Sequence, residues 1–410
     1  MSSSQHFSDW LASAEQAARS GGDFVVAILE RILQEASSRN ASDVHFQPEK
    51  HTIEIRFRLD GVLHKIGELP GEHAAQTAAR LKVLANLLTY KTASPQEGRV
   101  RSGRVPNVLK EMRISAAPTL YGERIVVRFF SEENQFHYPD ELGFSDDLLQ
   151  NLLRTIRKNS GAVLITGPAG SGKTTTAYAL LRELADRSET LRSIVTLEDP
   201  VEHALERVAQ IEVPHQGELA LRDMIKYMMR QDPEVLFVGE IRDRETAETS
   251  LQAALTGHLL ITTFHAGSAA DAVGRLCELG IEPFVLRSGI SCVLCQRLVR
   301  RLCECAETPE SREPLTLEID REKFTLSAYK LPNGCPKCGA TGYRGRVLIA
   351  ESLPLDDEEV IRGVLDKRET STLRTLAKQG GMIPMSARAV SLIESGVTSP
   401  HEIRRVFGGN

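Results

Sequence analysis

The segment GPAGSGKT, residues 167–174, limits the folds open to this chain more than any other part of the sequence. It directly follows an apolar run, AVLIT, and directly precedes a helical pattern. Strand, glycine-rich loop and helix in that order are typical of a phosphate-binding loop in an α/β domain. The glycines let backbone amides curl around a polyphosphate, and the helix N-terminus adds its positive end. We therefore expect a parallel sheet covered by helices, with a nucleotide bound at one edge.

Nine residues make up this predicted binding loop: Gly167, Pro168, Ala169, Gly170, Ser171, Gly172, Lys173, Thr174 and Thr175. Lys173 is expected to neutralise the β- and γ-phosphate oxygens, and the Thr174 hydroxyl to hold Mg²⁺. The chain contains no N-K-x-D segment of the kind that reads guanine, so ATP is favoured over GTP. A glycine-rich turn that binds nothing is the alternative, and the strand and helix on either side disfavour it.

Charged side chains follow three further apolar runs at the point where each predicted strand ends. Glu240 follows VLFVG, Glu198 and Asp199 follow SIVTL, and His265 follows LLITTF. The carboxyl ends of parallel strands meet at the ligand crevice, where a carboxylate can orient a water or reach a metal. Many phosphate-loop enzymes carry Asp just before such a Glu, whereas Gly239 stands there in this sequence. We interpret Glu240, Glu198 and His265 as catalytic candidates; the alternatives are a solvated strand end and a structural histidine.

The alternating pattern covers only part of the chain. Runs AVLIT, SIVTL, VAQIEV, VLFVG and LLITT alternate with helical patterns from about residue 141, which predicts a parallel sheet. Before it, a helical stripe gives way to period-two alternation with an Asp60-Gly61 turn, as expected for a mixed α/β domain. The polar segment around Pro139 is predicted to be a linker. After about residue 303 the pattern is irregular, then helical to the end.

Composition indicates an ordinary globular protein of two or three domains, since domains usually run ~100–200 residues. The 410 residues are 41% apolar and carry a net charge of −5. A basic surface is therefore not indicated, and no nucleic-acid partner is expected. The N-terminal residues lack the pattern of a signal peptide, and no apolar run approaches the ~18 residues of a membrane span. We expect a cytosolic protein that meets a membrane only through partners.

Seven cysteines in a cytosolic chain are not expected to form disulfides. Cys277, Cys292 and Cys295 lie in helical pattern and are interpreted as core thiols. The other four form two close pairs, and four thiolates suit a tetrahedral Zn²⁺: Cys303, Cys305, Cys335 and Cys338. The second pair has the C-x-x-C spacing of a zinc half-site, whereas the first, C-E-C, is one residue short. Free thiols are the alternative.

Taken together, these segments resemble a known family. GPAGSGKTTT, TLEDPVEH, DPEVLFVGEIRDRETAETSLQAALTGHLLITTFHA and QRLVRRLC are similar to the Walker A, Asp-box, Walker B and His-box segments of the secretion ATPases. ASDVHFQP and KEMRISAAPTLYGERIVVRFF resemble the preceding domain of the GspE/PilB group, and CPKCGATGYRGR resembles its cysteine module. That group drives type II secretion and type IV pilus assembly. The resemblance runs from about residue 24 to the C-terminus.

The resemblance implies a domain layout and a set of partners. Its domains would be a helical extension, a PAS-like domain, a linker and a RecA-like P-loop ATPase domain, at residues 1–23, 24–133, 134–143 and 144–410. Within the last lie a cysteine module, 303–345, and a helical tail, 354–410. The family forms homo-hexamers at the cytoplasmic face of the inner membrane, where they act on a polytopic platform protein that adds pilin-like subunits. Glu240 would be the family's Walker B glutamate.

Larger members of the family carry another N-terminal domain, which docks on a membrane-anchored secretion-system protein. In this sequence residues 1–23 precede the PAS-like part, and their apolar stripe contains Phe7, Trp10 and Leu11. That stripe is a candidate docking helix; packing on its own domain is the more common role.

The resemblance also draws attention to Arg113 and Arg128, which lie in strand pattern outside the phosphate-loop domain. If AAPTLYG holds a hairpin turn, the two lie on adjacent strands. The family's N-terminal arginines occur in these motifs and reach the nucleotide when the two domains close. We therefore interpret both as sensors of ATP, with solvated surface arginines as the alternative.

Three other functions compete with an assembly motor for secretion or for a pilus. A pilus retraction motor is disfavoured because such motors generally lack the cysteine module. A nucleic-acid motor is disfavoured by the acidic balance and the lack of interleaved aromatic and basic residues. A scaffold that binds ATP and barely hydrolyses it is disfavoured by the complete set of catalytic candidates.

Overall fold

A computed structural model describes residues 3–19, 21–130, 136–213, 220–309 and 314–408. The chain divides into two compact units. The first holds Met1–Asn134 and Asn333–Arg344, and the second holds Gln135–Pro332 and Gly345–Asn410. Part of the predicted linker, residues 134–135, lies outside the described residues. Among the described residues, no helix is both long and apolar enough to cross a membrane.

The first unit packs three helices on one antiparallel sheet. Its elements are α1 (Ser3–Arg19), α2 (Phe24–Ser38), β1 (Asp43–Pro48), β2 (Thr52–Leu59), β3 (Val62–Pro70), α3 (Ala74–Leu84), β4 (Gln96–Val100), β5 (Met112–Thr119) and β6 (Gly122–Phe129). The strand order is β3-β2-β1-β6-β5-β4, and each neighbouring pair is antiparallel. One face of this sheet is apolar and forms the core with the helices. The mixed α/β domain predicted for this region is thus confirmed.

The apolar stripe of α1 packs within its own unit. Phe7, Trp10 and Ala14 are buried, and the two aromatic rings pack edge to face with their centroids 5.5 Å apart. Phe7 lies against Gly67 of β3, where a Cβ would stand 2.1 Å from a ring carbon. Only glycine leaves room for that ring. The stripe is therefore part of the core, which favours the packing role over the docking role.

Short turns connect β2 to β3 and β5 to β6 in this sheet. Asp60 and Gly61 have φ of 47° and 83°, the left-handed pair that a two-residue hairpin turn requires. The predicted Asp60-Gly61 turn is confirmed. The β5–β6 turn is shorter than its sequence suggests, because the strands continue through AAPT and only Leu120 and Tyr121 connect them. This register places Arg113 directly opposite Arg128.

The second unit contains the parallel sheet and its helices. Its elements are α4 (Asp146–Ile156), β7 (Gly161–Thr166), α5 (Lys173–Asp186), β8 (Ile194–Glu198), β9 (Ala209–Glu212), α6 (Leu221–Met228), β10 (Val235–Val238), α7 (Arg244–Leu255), β11 (Leu259–Phe264), α8 (Ala269–Glu278), α9 (Pro283–Gly289), β12 (Ile290–Leu302), β13 (Leu315–Ile319), β14 (Glu322–Leu326), β15 (Tyr343–Leu353), α10 (Glu358–Leu365), α11 (Thr370–Gln379), α12 (Met385–Glu394) and α13 (Pro400–Phe407). The large sheet has the order β15-β12-β7-β11-β10-β8-β9. A separate hairpin is formed by β13 and β14.

The predicted α/β fold with a parallel sheet is confirmed. Strands β7 to β12 pair in parallel, and apolar clusters cover both faces of the sheet. The five apolar runs of the sequence correspond to β7 through β11. The helical interpretation of Cys292 and Cys295 is wrong, since both lie in β12 and are fully buried. A strand buried on both faces has no polar alternation, and its continuous apolar run mimics helical spacing.

Candidate functional site

The phosphate loop connects β7 to α5 through three glycines with positive φ, and at the first of them a side chain would also clash. Gly167 has a φ of 145°, and a Cβ there would stand 2.3 Å from the Gln296 carbonyl oxygen. Gly170 and Gly172 also have positive φ, at 72° and 88°. These conformations strain any side-chain-bearing residue. The loop ends at the first turn of α5. The free N–H groups and positive end of that helix favour an anion.

Lys173, the first residue of α5, lies back across the loop. Its Nζ donates to the carbonyl oxygens of Gly167 and Pro168, at 3.1 Å each. Burial lowers the pKa of Lys173, and the nearby Glu240 carboxylate opposes that effect. A partly buried ammonium is an effective partner for phosphate because it has lost much of its water.

Glu240 and His265 lie together, as their positions at strand ends predict. Glu240 stands two residues beyond β10 and His265 one residue beyond β11, and these strands are parallel neighbours. Nε2 of His265 lies 2.7 Å from Oε1 of Glu240, and Nδ1 lies 3.5 Å from Nζ of Lys173. The other Glu240 oxygen accepts a 2.7 Å hydrogen bond from Nε of Arg242. A loop lysine, a carboxylate and an imidazole thus converge at the carboxyl edge of the sheet.

Glu198 is not part of this cluster. Its side chain is buried at the end of β8, where it accepts hydrogen bonds from the Tyr178 hydroxyl, Thr196 Oγ1 at 2.7 Å and Gln210 Nε2 at 3.1 Å. Burial, followed by the hydrogen bond to Glu198, raises the pKa of Tyr178. Three donors leave this carboxylate little capacity for another partner. The structure therefore disfavours the catalytic role predicted for Glu198. Its hydrogen bonds instead stabilise the end of β8.

Two other acids of the same segment contact the site: Asp199 lies near Arg242, and Glu202 lies near the phosphate loop. Oδ2 of Asp199 is 3.7 Å from Nη1 of Arg242, and Oε1 of Glu202 is 3.5 Å from the Thr174 hydroxyl. Sequence reasoning did not select Glu202, although TLEDPVE contains it. Its spacing from the strand end gave no signal, because the chain bends beyond β8 before reaching it.

The loop, α5 and the acids together fit a Mg-nucleotide. The three loop glycines hold the left-handed backbone that curls the loop ahead of α5, and the helix N-terminus supplies N–H donors. The Thr174 hydroxyl lies beside a carboxylate, which is the oxygen chemistry that Mg²⁺ prefers. These are features of the chain's own residues, and they match the predicted ligands.

The four predicted zinc ligands form one cluster. The Sγ atoms of the four cysteines all lie within 4.8 Å of one another. Tetrahedral geometry with Zn–S bonds of ~2.3 Å requires sulfurs about 3.8 Å apart, and the Sγ atoms of Cys335 and Cys338 lie 3.8 Å apart. The Cys338 Sγ also accepts from the N–H groups of Cys335 and Gly342, at 3.1 and 3.3 Å. The cluster suits zinc, and the short C-E-C pair does not prevent it from forming.

Arg113 and Arg128 share one face of the first unit's sheet. They border a cavity of about 270 Å³ together with Glu97, Ser115 and Val126. Arg113 is ion-paired with Glu97, and Nε of Arg128 donates to Oδ1 of Asp43 at 2.9 Å. The adjacent-strand arrangement predicted for the two arginines is present, and the carboxylate partners are an addition that the sequence did not indicate.

Comparison with known proteins shows which family the sequence matches. A model of the family described as "Type II/IV secretion system protein" matches residues 18–405. Among curated relatives, type IV pilus assembly ATPase TfpB of Acinetobacter baylyi is 36% identical over 93% of this chain and 65% of its own length. Type II secretion system protein E of Klebsiella pneumoniae is 38% identical over 93% of this chain and 76% of its own. The chain thus spans about two thirds to three quarters of these two relatives.

Solved structures support the fold. The Legionella pneumophila ATPase DotB has a TM-score of 0.67 at 22% identity, covering 92% of this chain and 94% of its own. The pilus retraction motor PilT with bound ADP has a TM-score of 0.61 at 22% identity, covering 92% and 96%. At this identity the likeness extends to the architecture alone.

Proposed function

We propose, from the premise that this chain belongs to the Type II/IV secretion system protein family, that it hydrolyses ATP with Mg²⁺ to power assembly of a pilus or pseudopilus. The single observation that carries the proposal is the contact of Glu240 with His265 beside Lys173 of the phosphate loop. Binding alone requires the loop and the lysine. A carboxylate with both oxygens held by neighbours, at the end of an adjacent strand, adds the means for hydrolysis.

Binding falls to the loop and the start of α5. The loop amides and Lys173 would hold the phosphates, and the Thr174 hydroxyl would hold the metal ion. Mg²⁺, when bound, draws charge from the β- and γ-phosphate oxygens. The lowered pKa of Lys173 reflects a site from which water is partly excluded, and electrostatic contacts are stronger in such a site.

Glu240 is the group that orients the attacking water and accepts its proton. Arg242 fixes one carboxylate oxygen and His265 the other. With both oxygens held, the carboxylate loses little freedom when the reaction begins, and this pre-organisation lowers the barrier. His265 also faces Lys173, so it links the phosphate-binding group to the proton acceptor.

The work done by hydrolysis is proposed from the relatives. Names for both type II secretion and type IV pilus assembly occur among relatives of similar identity. We place type II secretion first and pilus or competence-pilus assembly second. The protein would act as a homo-hexamer at the cytoplasmic face of the inner membrane. There it would act on a polytopic platform protein and, in some systems, bind a membrane-anchored secretion-system protein. The cysteine cluster favours assembly over retraction, and a nucleic-acid motor is the alternative of another class.

A test begins with phosphate release by the full chain, purified without chelator. ATP with Mg²⁺ should be hydrolysed, whereas ATP with excess EDTA and GTP with Mg²⁺ should not. Duplex DNA should leave the rate unchanged at both low and high salt, because nucleic-acid binding would be strongly salt-dependent. An assembled ring that binds ATP and releases no phosphate would overturn the proposal. Stimulation by DNA would favour the nucleic-acid motor instead.

A further inference from the structure

Gln296 is a fully buried polar side chain that contacts the phosphate loop from outside it. It lies in β12, the strand that pairs in parallel with β7. Its Nε2 donates to the carbonyl oxygen of Ser171 at 2.9 Å, and its Oε1 accepts from the Thr176 hydroxyl at 3.0 Å. One amide thus joins the loop to the first turn of α5. A buried amide is costly unless both ends are paired, and here both ends are.

The backbone of the same residue limits the start of the loop. The Gln296 carbonyl oxygen lies 2.3 Å from where a Cβ on Gly167 would stand. Gln296 therefore touches the loop at its first glycine through the main chain, and near its end through the side chain. A loop with three positive-φ glycines has much conformational freedom to lose on binding. Contacts that hold the loop beforehand reduce the cost of ordering it around a ligand.

Strand β12 is itself fixed on its other face. Arg297, whose side chain points opposite to that of Gln296, donates from Nη2 to the Gly267 carbonyl at 3.1 Å and from Nη1 to the Val406 carbonyl at 2.6 Å. Its guanidinium also stacks on the Phe407 ring, 4.6 Å from the centroid. The strand is thereby tied to α13 and to the loop that carries His265. A support that is anchored in this way can hold the phosphate loop firmly.

We propose that Gln296 is a positioning residue that holds the phosphate loop in its nucleotide-binding shape and so sets the affinity for ATP. The inference rests on the proposed function, because the loop must bind a nucleotide for its shape to matter. The side-chain hydrogen bonds of Gln296 go to the Ser171 backbone and to Thr176, so we expect it to act through the loop backbone and Thr176. Its loss should weaken binding in the ground state and the transition state alike, and so raise KM more than it lowers kcat.

The test compares two Gln296 variants with a matched control. Gln296→Met keeps the length and removes both hydrogen bonds. Gln296→Glu keeps an acceptor for Thr176 but turns an oxygen toward the Ser171 carbonyl. Thr398→Val is the control, because the buried Thr398 hydroxyl donates to the Arg300 carbonyl of the same strand at 2.8 Å, away from the loop. Each full-length protein is titrated with a fluorescent ATP analogue, and KM and kcat are measured.

Gln296→Met, which loses both buried hydrogen bonds, should show a Kd and KM for ATP raised by about tenfold or more, with kcat within about threefold. Gln296→Glu, which loses only the bond to Ser171 and sets an oxygen against that carbonyl, should shift Kd and KM in the same direction. Thr398→Val should bind as wild type does. A folded Gln296→Met with wild-type Kd overturns the inference and leaves the proposed function intact, whereas a wild-type protein that binds no nucleotide overturns both. If Gln296→Met does not fold, Thr176→Val decides: an increase in Kd of about threefold supports the inference, and an unchanged Kd overturns it.

Discussion

Nε2 of His265 lies 2.7 Å from a carboxylate oxygen of Glu240, while Nδ1 of the same ring lies 3.5 Å from the Lys173 ammonium. The tautomer with its proton on Nε2 satisfies both contacts, since Nε2–H donates to the carboxylate and Nδ1 accepts from the ammonium. The strand-end acid and the loop lysine are therefore joined through one ring. This arrangement makes Glu240 the residue whose loss should separate binding from hydrolysis.

We expect Glu240→Gln to bind ATP with near wild-type affinity and to hydrolyse it ~10²-fold or more slowly, because the amide keeps the shape but cannot accept a proton. Nucleotide titration and single-turnover phosphate release measure the two properties separately. Lys173→Ala should instead weaken binding. Glu248→Gln is the matched control: this exposed acid of α7 pairs with Arg244 and should leave turnover unchanged. Wild-type turnover by Glu240→Gln would reduce Glu240 to a solvated strand end.

The positions of Glu240 and His265 could be predicted because an apolar strand followed closely by a charged residue is visible in a short stretch of sequence. Gln296 could not, because its strand reads as a helix and its partners lie about 120 residues earlier in the chain. Glu198 shows the limit of the same rule. It too ends a strand, yet Tyr178 from α5 turns its carboxylate into the interior. Strand ends are readable from the sequence; which way a side chain turns there depends on packing by distant elements.

The cysteine cluster should hold about one zinc per chain in protein purified without chelator. Cys335→Ser and Cys303→Ser should each lose the metal and lower the thermal midpoint, because four thiolates complete the tetrahedral shell. Testing one residue from each pair asks whether the short C-E-C pair takes part. Cys277→Ser, in α8 and outside the cluster, is the control and should retain zinc. A metal-free, well-folded wild type would contradict the assignment.

His45 should make the protein less stable in mild acid. Burial, then the charges of Arg124 and Arg58, lower the pKa of His45, with Asp43 opposing. The unfolded chain then binds the proton more tightly than the folded one, so stability falls as pH drops through 6.5 toward the lowered value. We expect His45→Asn to reduce the loss of melting temperature between pH 7.5 and 5.5 by a few degrees, measured by thermal unfolding at the two pH values.

The control for this prediction is His401→Asn, since His401 is exposed on α13. It should leave the pH dependence of melting as in wild type. An identical pH dependence in His45→Asn and wild type would show that His45 does not contribute.

Arg113 and Arg128 are expected to couple hydrolysis to motion of the first unit. Both are already ion-paired, with Glu97 and Asp43, so any contact with a γ-phosphate must compete with those carboxylates. The contact between arginine and γ-phosphate becomes favourable overall only when negative charge builds up in the transition state. Arg113→Ala and Arg128→Ala should therefore cut kcat ~10²-fold or more while ATP binding stays within several-fold.

Arg→Lys at the same two positions should restore little activity, because an ammonium lacks the fork that two phosphate oxygens can share. Arg56→Ala is the matched control. Arg56 lies on the same face of the same sheet and is ion-paired with Glu54 at 2.6 Å, so its loss removes a comparable surface charge from a position not assigned to the nucleotide. If both Ala variants assemble and hydrolyse ATP at the wild-type rate, the two arginines are only part of the sheet's charged face. If Arg56→Ala is as slow as they are, the effect belongs to the general charge of that face rather than to two sensors.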